Sequence, residues 1–204
     1  MSMPKCSRPA TVFVAGVVLA IGVGWFTPSA GAADQAKADD QAAARDREIR
    51  DLVASLNNLE FNGSNAPKDP KDRAAIEKLQ KMSEHAAPAI AKMLADGHKN
   101  RNEPKSWLQV YRPLYILKGM GEHAKVALPD VIKALDDRYG PVAGAAAEVL
   151  GNMGPAAKGA VPDLVRVWEK SQKIPGRQGA RSTKALADAL KKIDPEAAEK
   201  AGIK

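Results

Sequence analysis

Residues 150–168 read LGNMGPAAKGAVPDLVRVW, a sequence that predicts the end of one helix, a tight corner and the start of a second helix. Residues 117–135, LKGMGEHAKVALPDVIKAL, repeat its Met, Gly, Ala, Lys, Pro and Asp positions 33 residues earlier. Glycine permits the left-handed backbone that ends a helix, and proline fits the first turn of the next one. A period of roughly 20 to 50 residues is typical of stacked helical repeats. The sequence therefore predicts helix pairs, each joined by a tight corner.

The same pattern continues in weaker form on both sides of these two copies. It predicts helix pairs near 69–97, 104–137, 141–171 and 182–204. The corner of the first pair, Ser83-Glu84-His85-Ala86, matches only if three residues are deleted before the next proline. A basic, Gly- and Pro-containing loop at 172–181 is predicted to interrupt the period before the last pair.

The repeat segments carry a family resemblance. LGNMGPAAKGAVPDL (150–164) resembles the HEAT-like repeats of the phycobilisome-lyase type: a helix ending in Leu-Gly-x-Met/Ile-Gly, a Pro-x-Ala corner, then Val-Pro-x-Leu. ALKKIDPEAA (189–198) is similar to the same corner, and the resemblance covers roughly 69–198. It implies an all-α fold, a right-handed α-solenoid of three to four helix pairs whose second helices line the concave face. For the family it also implies protein binding.

Residues 1–32 have the features of a signal peptide. Lys5 and Arg8 precede an apolar run over 10–26, and Ala30-Gly31-Ala32 is a small-residue cleavage site. We expect cleavage after Ala32 and a periplasmic or secreted protein without stable membrane insertion. An uncleaved membrane anchor is the alternative. Cys6, the one cysteine of the chain, would be removed with this segment, so disulfides and thiol chemistry are not expected.

The segment after the cleavage site is predicted to be a flexible leader at 33–44, because it has no apolar residue larger than alanine. A leading helix at 45–61 is predicted next, from apolar residues at helical spacing. Charge is uneven along the rest of the chain: 33–154 carry 18 basic and 18 acidic side chains, and 155–204 carry 11 basic and 6 acidic ones. This mild excess favours an acidic partner or surface and does not indicate nucleic acid.

The sequence shows no catalytic or metal-binding motif. There is no nucleophile elbow and no phosphate-binding loop. His85 and His123 occupy equivalent corners, about 10 Å apart in stacked helices, which is too far for a shared ion. We therefore expect no enzyme activity, no cofactor, no metal and no catalytic residue. Asp136 and Asp137 are expected to pair with the adjacent Arg138.

A row of cations is the candidate binding site. Aligning the second helices on their prolines puts Lys92, Lys133 and Arg166 in one column, and Lys170 extends it. The favoured function is a non-enzymatic protein-binding scaffold whose partner is another protein, an acidic one if the row makes the contact. One alternative is a lyase or other enzyme acting on a small ligand. The other is a module that binds an anionic polymer or envelope surface through the basic C-terminal part. The sequence leaves the oligomeric state open.

Overall fold

A computed structural model describes residues 30–62, 66–99, 106–173 and 177–203. This part of the chain is all-α, as predicted. Its helices are α1 (Ala30–Ser55), α2 (Pro70–Lys81), α3 (Ser83–Lys99), α4 (Ser106–Leu117), α5 (Leu128–Leu135), α6 (Gly140–Met153), α7 (Val161–Ser171), α8 (Arg177–Ile193) and α9 (Pro195–Lys200). Three further segments are 3₁₀-helical: Leu56–Asn58, Gly121–Ala127 and Gly154–Ala160.

The chain divides into two compact units, 1–39 and 40–204. In the first unit the structure describes the initial turns of α1, where Gln35 Nε2 donates a hydrogen bond to Asp39 Oδ1 over 3.0 Å. All the other elements belong to the second unit. None of the helices in the described ranges is both long and apolar enough to cross a bilayer. The apolar run at 10–26 lies outside those ranges.

α1 begins earlier than the sequence predicts. The predicted leader at 33–44 is helical, and the predicted leading helix at 45–61 ends at Ser55, followed by the 3₁₀ turn. Alanine has the highest intrinsic helix propensity, so an alanine-rich segment can form a helix without large apolar residues. The predicted signal peptide at 1–32 lies outside the described residues except where α1 starts.

The two corners have the predicted geometry. We call Gly121–Ala127 the first corner and Gly154–Ala160 the second corner. Their glycines have φ values of +55° and +59°, which a β-branched residue adopts only with strain. A proline then stands in the first turn of α5 and of α7, where no backbone donor is lost. The predicted positive-φ glycines are therefore confirmed.

The first helix pair lacks such a corner. α2 ends at Lys81, and α3 begins at Ser83 and continues through Pro88 without a 3₁₀ segment. The first helix pair is three residues shorter before its proline than the other pairs. This shortening accounts for the difference, because the other pairs use that length to form the corner. Asp69 caps α2 as predicted: its Oδ1 accepts from the backbone NH of Lys71 over 2.8 Å.

Gly97 lies at a close contact between two helices. It lies inside α3, where an added Cβ would be 2.5 Å from the carbonyl oxygen of Gln109 in α4. Gly97 therefore permits close approach of α3 and α4. Near the C-terminus, the predicted loop at 172–181 is shorter than expected, since α8 already begins at Arg177.

Helices of the second unit pack in two series. α2 contacts α4, α4 contacts α6, and α6 contacts α8. In parallel, α3 contacts α5 and α5 contacts α7, while α3, α5 and α7 pack on α4, α6 and α8 respectively. The core between them is aliphatic and rich in alanine. Its largest fully buried side chains are leucines and isoleucines, among them Ile90, Leu114, Leu135, Leu150, Leu164 and Leu186.

Candidate functional site

The predicted cation row lies on three consecutive second helices: Lys92 on α3, Lys133 on α5, and Arg166 with Lys170 on α7. The first three each follow a fully buried residue by two positions: Ile90, Val131 or Leu164. Two residues turn an α-helix by about 200°, so these cations point away from the core. Their side chains retain 79%, 64% and 40% of their accessible surface, in chain order.

At the α3 end of the row, two lysines share one carboxylate. Lys92 Nζ lies 2.7 Å from Asp96 Oδ2, and Lys99 Nζ lies 2.9 Å from Asp96 Oδ1. Hydrogen bonds from Lys92 and then Lys99 lower the pKa of Asp96 to about 2. All three residues belong to α3, so this cluster joins no two helices. Asp96 therefore stays ionised at neutral pH and partly neutralises the lysines.

Lys133 also pairs within its own helix. Its Nζ lies 2.8 Å from Oδ1 of Asp130, three residues earlier on α5. A different bond connects α5 to α3: His98 Nε2 donates to the backbone carbonyl of Asp130 over 2.9 Å. His98 lies in the last turn of α3, from where it bonds to the neighbouring helix.

Arg166 is held by two carboxylates: Asp163 on its own helix and Asp136, the residue that follows α5. Its Nη1 and Nη2 bond Asp136 Oδ1 and Oδ2 at 2.8 and 2.6 Å, and Nη2 also bonds Asp163 Oδ1 at 2.9 Å. These bonds raise the pKa of Arg166, Asp136 contributing most. The Arg166 bond is likewise the main cause of the lowered pKa of Asp136. Lys170 Nζ lies farther from Asp136 Oδ1, at 3.4 Å.

This pairing corrects the prediction for Asp136. Arg138, its expected partner, is adjacent in the chain, but Asp136 bonds across to α7. The contact joins α5 to α7 by a two-point, charge-assisted hydrogen bond, the strongest form such a pair takes. The structure therefore gives every cation of the row an acidic neighbour, which the sequence argument missed. Most of these acids could have been found from spacing, because they lie three or four residues from a cation. Asp136 could not have been found in this way, because it lies 30 residues from Arg166.

Most aromatic side chains of the described residues form one cluster elsewhere. Phe61, Trp107, Tyr111, Tyr115 and Tyr139 meet with ring centroids 4.4 to 6.5 Å apart. Such edge-to-face and tilted pairs pack the rings against one another. The rings on α4 thus pack within the fold.

Arg112 and Trp168 also serve packing. Arg112 donates to the carbonyls of Leu59 and Asn57 over 2.8 and 2.5 Å, which ties the 3₁₀ turn after α1 to α4. Burial lowers the pKa of Arg112. Trp168 is half-buried and packs on the core.

Two of the described histidines, His85 and His98, bond to groups of other helices. Arg45 Nη1 donates to Nε2 of His85 over 2.8 Å, linking α1 to α3. His123 is exposed in the first corner. Among the described residues no group of three His, Cys, Asp or Glu side chains is arranged to hold a metal ion.

No protein-family model matches the chain, and no curated protein matches it.

Proposed function

We propose that the protein is a non-enzymatic scaffold of the HEAT-repeat type that binds another protein. In this proposal α2 to α9 form a right-handed α-solenoid of three to four helix pairs, and α3, α5 and α7 form the binding face. The observation that carries it is the order of packing. Helices two apart in the chain contact each other in both series, from α2 to α8 and from α3 to α7. Each pair thus contacts its neighbours, as in a repeat array.

The corners support the same reading. The positive-φ glycine, the buried alanines and the proline recur at matching positions in two successive pairs. A repeat array presents the outer side chains of successive helices as one extended surface, which suits protein binding. The row of Lys92, Lys133, Arg166 and Lys170 lies on that surface.

We also propose that the protein is exported, with its signal peptide cleaved after Ala32. N-terminal sequencing of the chain isolated from its native cells tests this directly. We expect the sequence to begin at Ala33. An intact Met1 N-terminus in the membrane fraction would support the anchor instead.

The test of the scaffold function is co-purification from the native envelope fraction, followed by cross-linking. We expect one protein to be retained in stoichiometric amount and to cross-link to lysines of α3, α5 or α7. Cross-links confined to Lys184, Lys191 and Lys192 would instead favour the basic C-terminal part as the contact. The double variant Lys92→Glu/Lys133→Glu should retain less of the partner protein. Its circular dichroism should match that of the unmutated chain. Retention no greater than that of an unrelated helical protein of equal charge would contradict the proposal.

A further inference from the structure

The cations of the row are held in two different ways. Lys92, Lys99 and Lys133 pair with acids on their own helices and keep 79%, 74% and 64% of their side-chain surface exposed. Arg166 keeps 40% and bonds both Asp163 of its own helix and Asp136, which directly follows α5. A side chain that bonds one acid on its own helix can exchange that acid easily. A side chain that joins two helices cannot do so without loosening them.

We propose that Lys92, Lys99 and Lys133 bind carboxylates of a mixed-charge segment of a protein partner, whereas Arg166 and Lys170 hold α7 against α5 and do not contact it. This inference rests on the proposed scaffold function and specifies its contact residues and the chemistry of its partner. We call the three lysines the α3–α5 lysine site.

Charge balance supports the division. The α3–α5 lysine site has three cations against two acids, Asp96 and Asp130. At the α7 end, Arg166 and Lys170 meet two acids, Asp136 and Asp163. The surplus positive charge therefore lies at the α3–α5 lysine site. Exposed pairs such as these contribute little to stability, so exchanging Asp96 or Asp130 for a partner's carboxylate costs little.

The interleaved acids favour a protein partner over a uniform polyanion. Asp96 lies between Lys92 and Lys99, and Asp130 lies beside Lys133. A phosphate polymer carries no cation to place opposite these two carboxylates, so Asp96 and Asp130 would repel it. A protein segment can place a glutamate opposite a lysine and a lysine opposite an aspartate. Such complementarity governs specificity and association rate more than affinity alone.

Fluorescence anisotropy with a defined probe tests the site on the mature chain. The probe is an alanine-based, fluorescein-labelled peptide of about 16 residues, long enough to form a helix. It carries glutamates at i, i+4 spacing with one lysine between them, and a second peptide has glutamine in place of each glutamate. We expect the glutamate peptide to bind, the glutamine peptide not to bind, and binding to weaken as salt is raised.

Paired variants locate the contact. Lys92→Gln/Lys133→Gln should weaken binding of the glutamate peptide by roughly tenfold. The control Lys125→Gln/Lys158→Gln removes the same charge from exposed corner lysines and should leave affinity within about twofold. Lys170→Gln should likewise leave it unchanged. Circular dichroism should be the same for all four proteins, because none of these lysines is buried.

Three results would overturn the inference. The first is equal loss in the Lys125/Lys158 control, which would show that net charge alone is sensed. The second is no binding of the glutamate peptide by the unmutated chain. The third is displacement of the bound peptide by inorganic polyphosphate at equal charge concentration, which would indicate an anion-polymer site. None of these results decides the scaffold function, which the co-purification tests separately.

Discussion

Lys133 and Arg166 occupy the same position in α5 and α7, yet only Arg166 reaches a neighbouring second helix. Lys133 pairs with Asp130 on its own helix, while Arg166 bonds Asp136, the residue after α5, at 2.8 and 2.6 Å. The polar bonds between neighbouring second helices therefore differ. Between α3 and α5, His98 donates to a backbone carbonyl. Between α5 and α7, Arg166 and Asp136 form a two-point ion pair. Lys133 and Arg166 therefore have different roles, although they occupy equivalent positions in the repeat.

One position accounts for the difference. Asp136 lies seven residues after Pro129, and the residues seven after the other two prolines are Ala95 and Glu169. α3 has no carboxylate at this position to reach forward to Lys133. We expect this one side chain to decide whether the cation of the next helix is exposed or bonded between helices.

The largest effect is expected from reversing the charge of Arg166. Arg166→Glu removes three hydrogen bonds and places a third carboxylate beside Asp136 and Asp163. We expect a loss of about 2 kcal/mol in the free energy of unfolding, measured by urea titration, because like charges then face each other across α5 and α7. Lys133→Glu makes the same reversal at the equivalent position and should cost less than about 0.5 kcal/mol. Equal losses would show that the two ends of the row do not differ.

Much of this fold could be predicted from local sequence. The positive φ of Gly121 and Gly154, the N-cap at Asp69 and the all-α class follow from chemistry within a few residues. The predicted flexible leader at 33–44 was wrong: half of these residues are alanine, whose high helix propensity favours a helix without large apolar residues.

Contacts between helices were the part that could not be predicted. A side chain at Gly97 would clash with the backbone of Gln109 in another helix, and the residues around Gly97 in the sequence do not show this. The bond from Asp136 to Arg166 spans 30 residues and depends on which flank of α5 faces α7. Helical spacing found the cations and could have found the acids nearest to them. It could not show which cation joins two helices.

The next largest effect is expected from removing the acid that joins α5 to α7. Asp136→Ala leaves Arg166 with Asp163 alone and frees Lys170. We expect a loss of about 1 kcal/mol in the free energy of unfolding, because a two-point pair is stronger than an ordinary exposed one. Binding of the glutamate peptide should rise, since two further cations become available. As a control, Asp130→Ala should cost less stability, because it breaks only a pair within one helix.

A smaller effect is expected from pH. The bond from Arg166 lowers the pKa of Asp136 below its unfolded value of about 3.9, so folding is stabilised when this carboxylate is ionised. That contribution is complete above the unfolded pKa and is lost as pH falls through the lower folded pKa. Asp136→Asn should therefore destabilise the chain by less than about 1 kcal/mol at pH 7. The difference should shrink as the pH is lowered below about 4. A difference that stays constant with pH would show that the charge of Asp136 is not what stabilises the contact.

The smallest effect is expected from giving α3 the acid that it lacks. Ala95→Asp places a carboxylate at the position of Asp136, one helix earlier, where Lys133 takes the place of Arg166. We expect a gain of about 0.3 kcal/mol in the free energy of unfolding, because a lysine pair is weaker than a two-point arginine pair and the acid lies toward the unfavourable C-terminal end of α3. Affinity for the glutamate peptide should fall, since Lys133 becomes engaged by the new carboxylate. Ala95→Asn is the matched control, with the same shape and no charge. If the two variants bind the peptide equally, the α3–α5 contact does not repeat the geometry of the α5–α7 contact, and the exposure of Lys133 has a cause other than the missing acid.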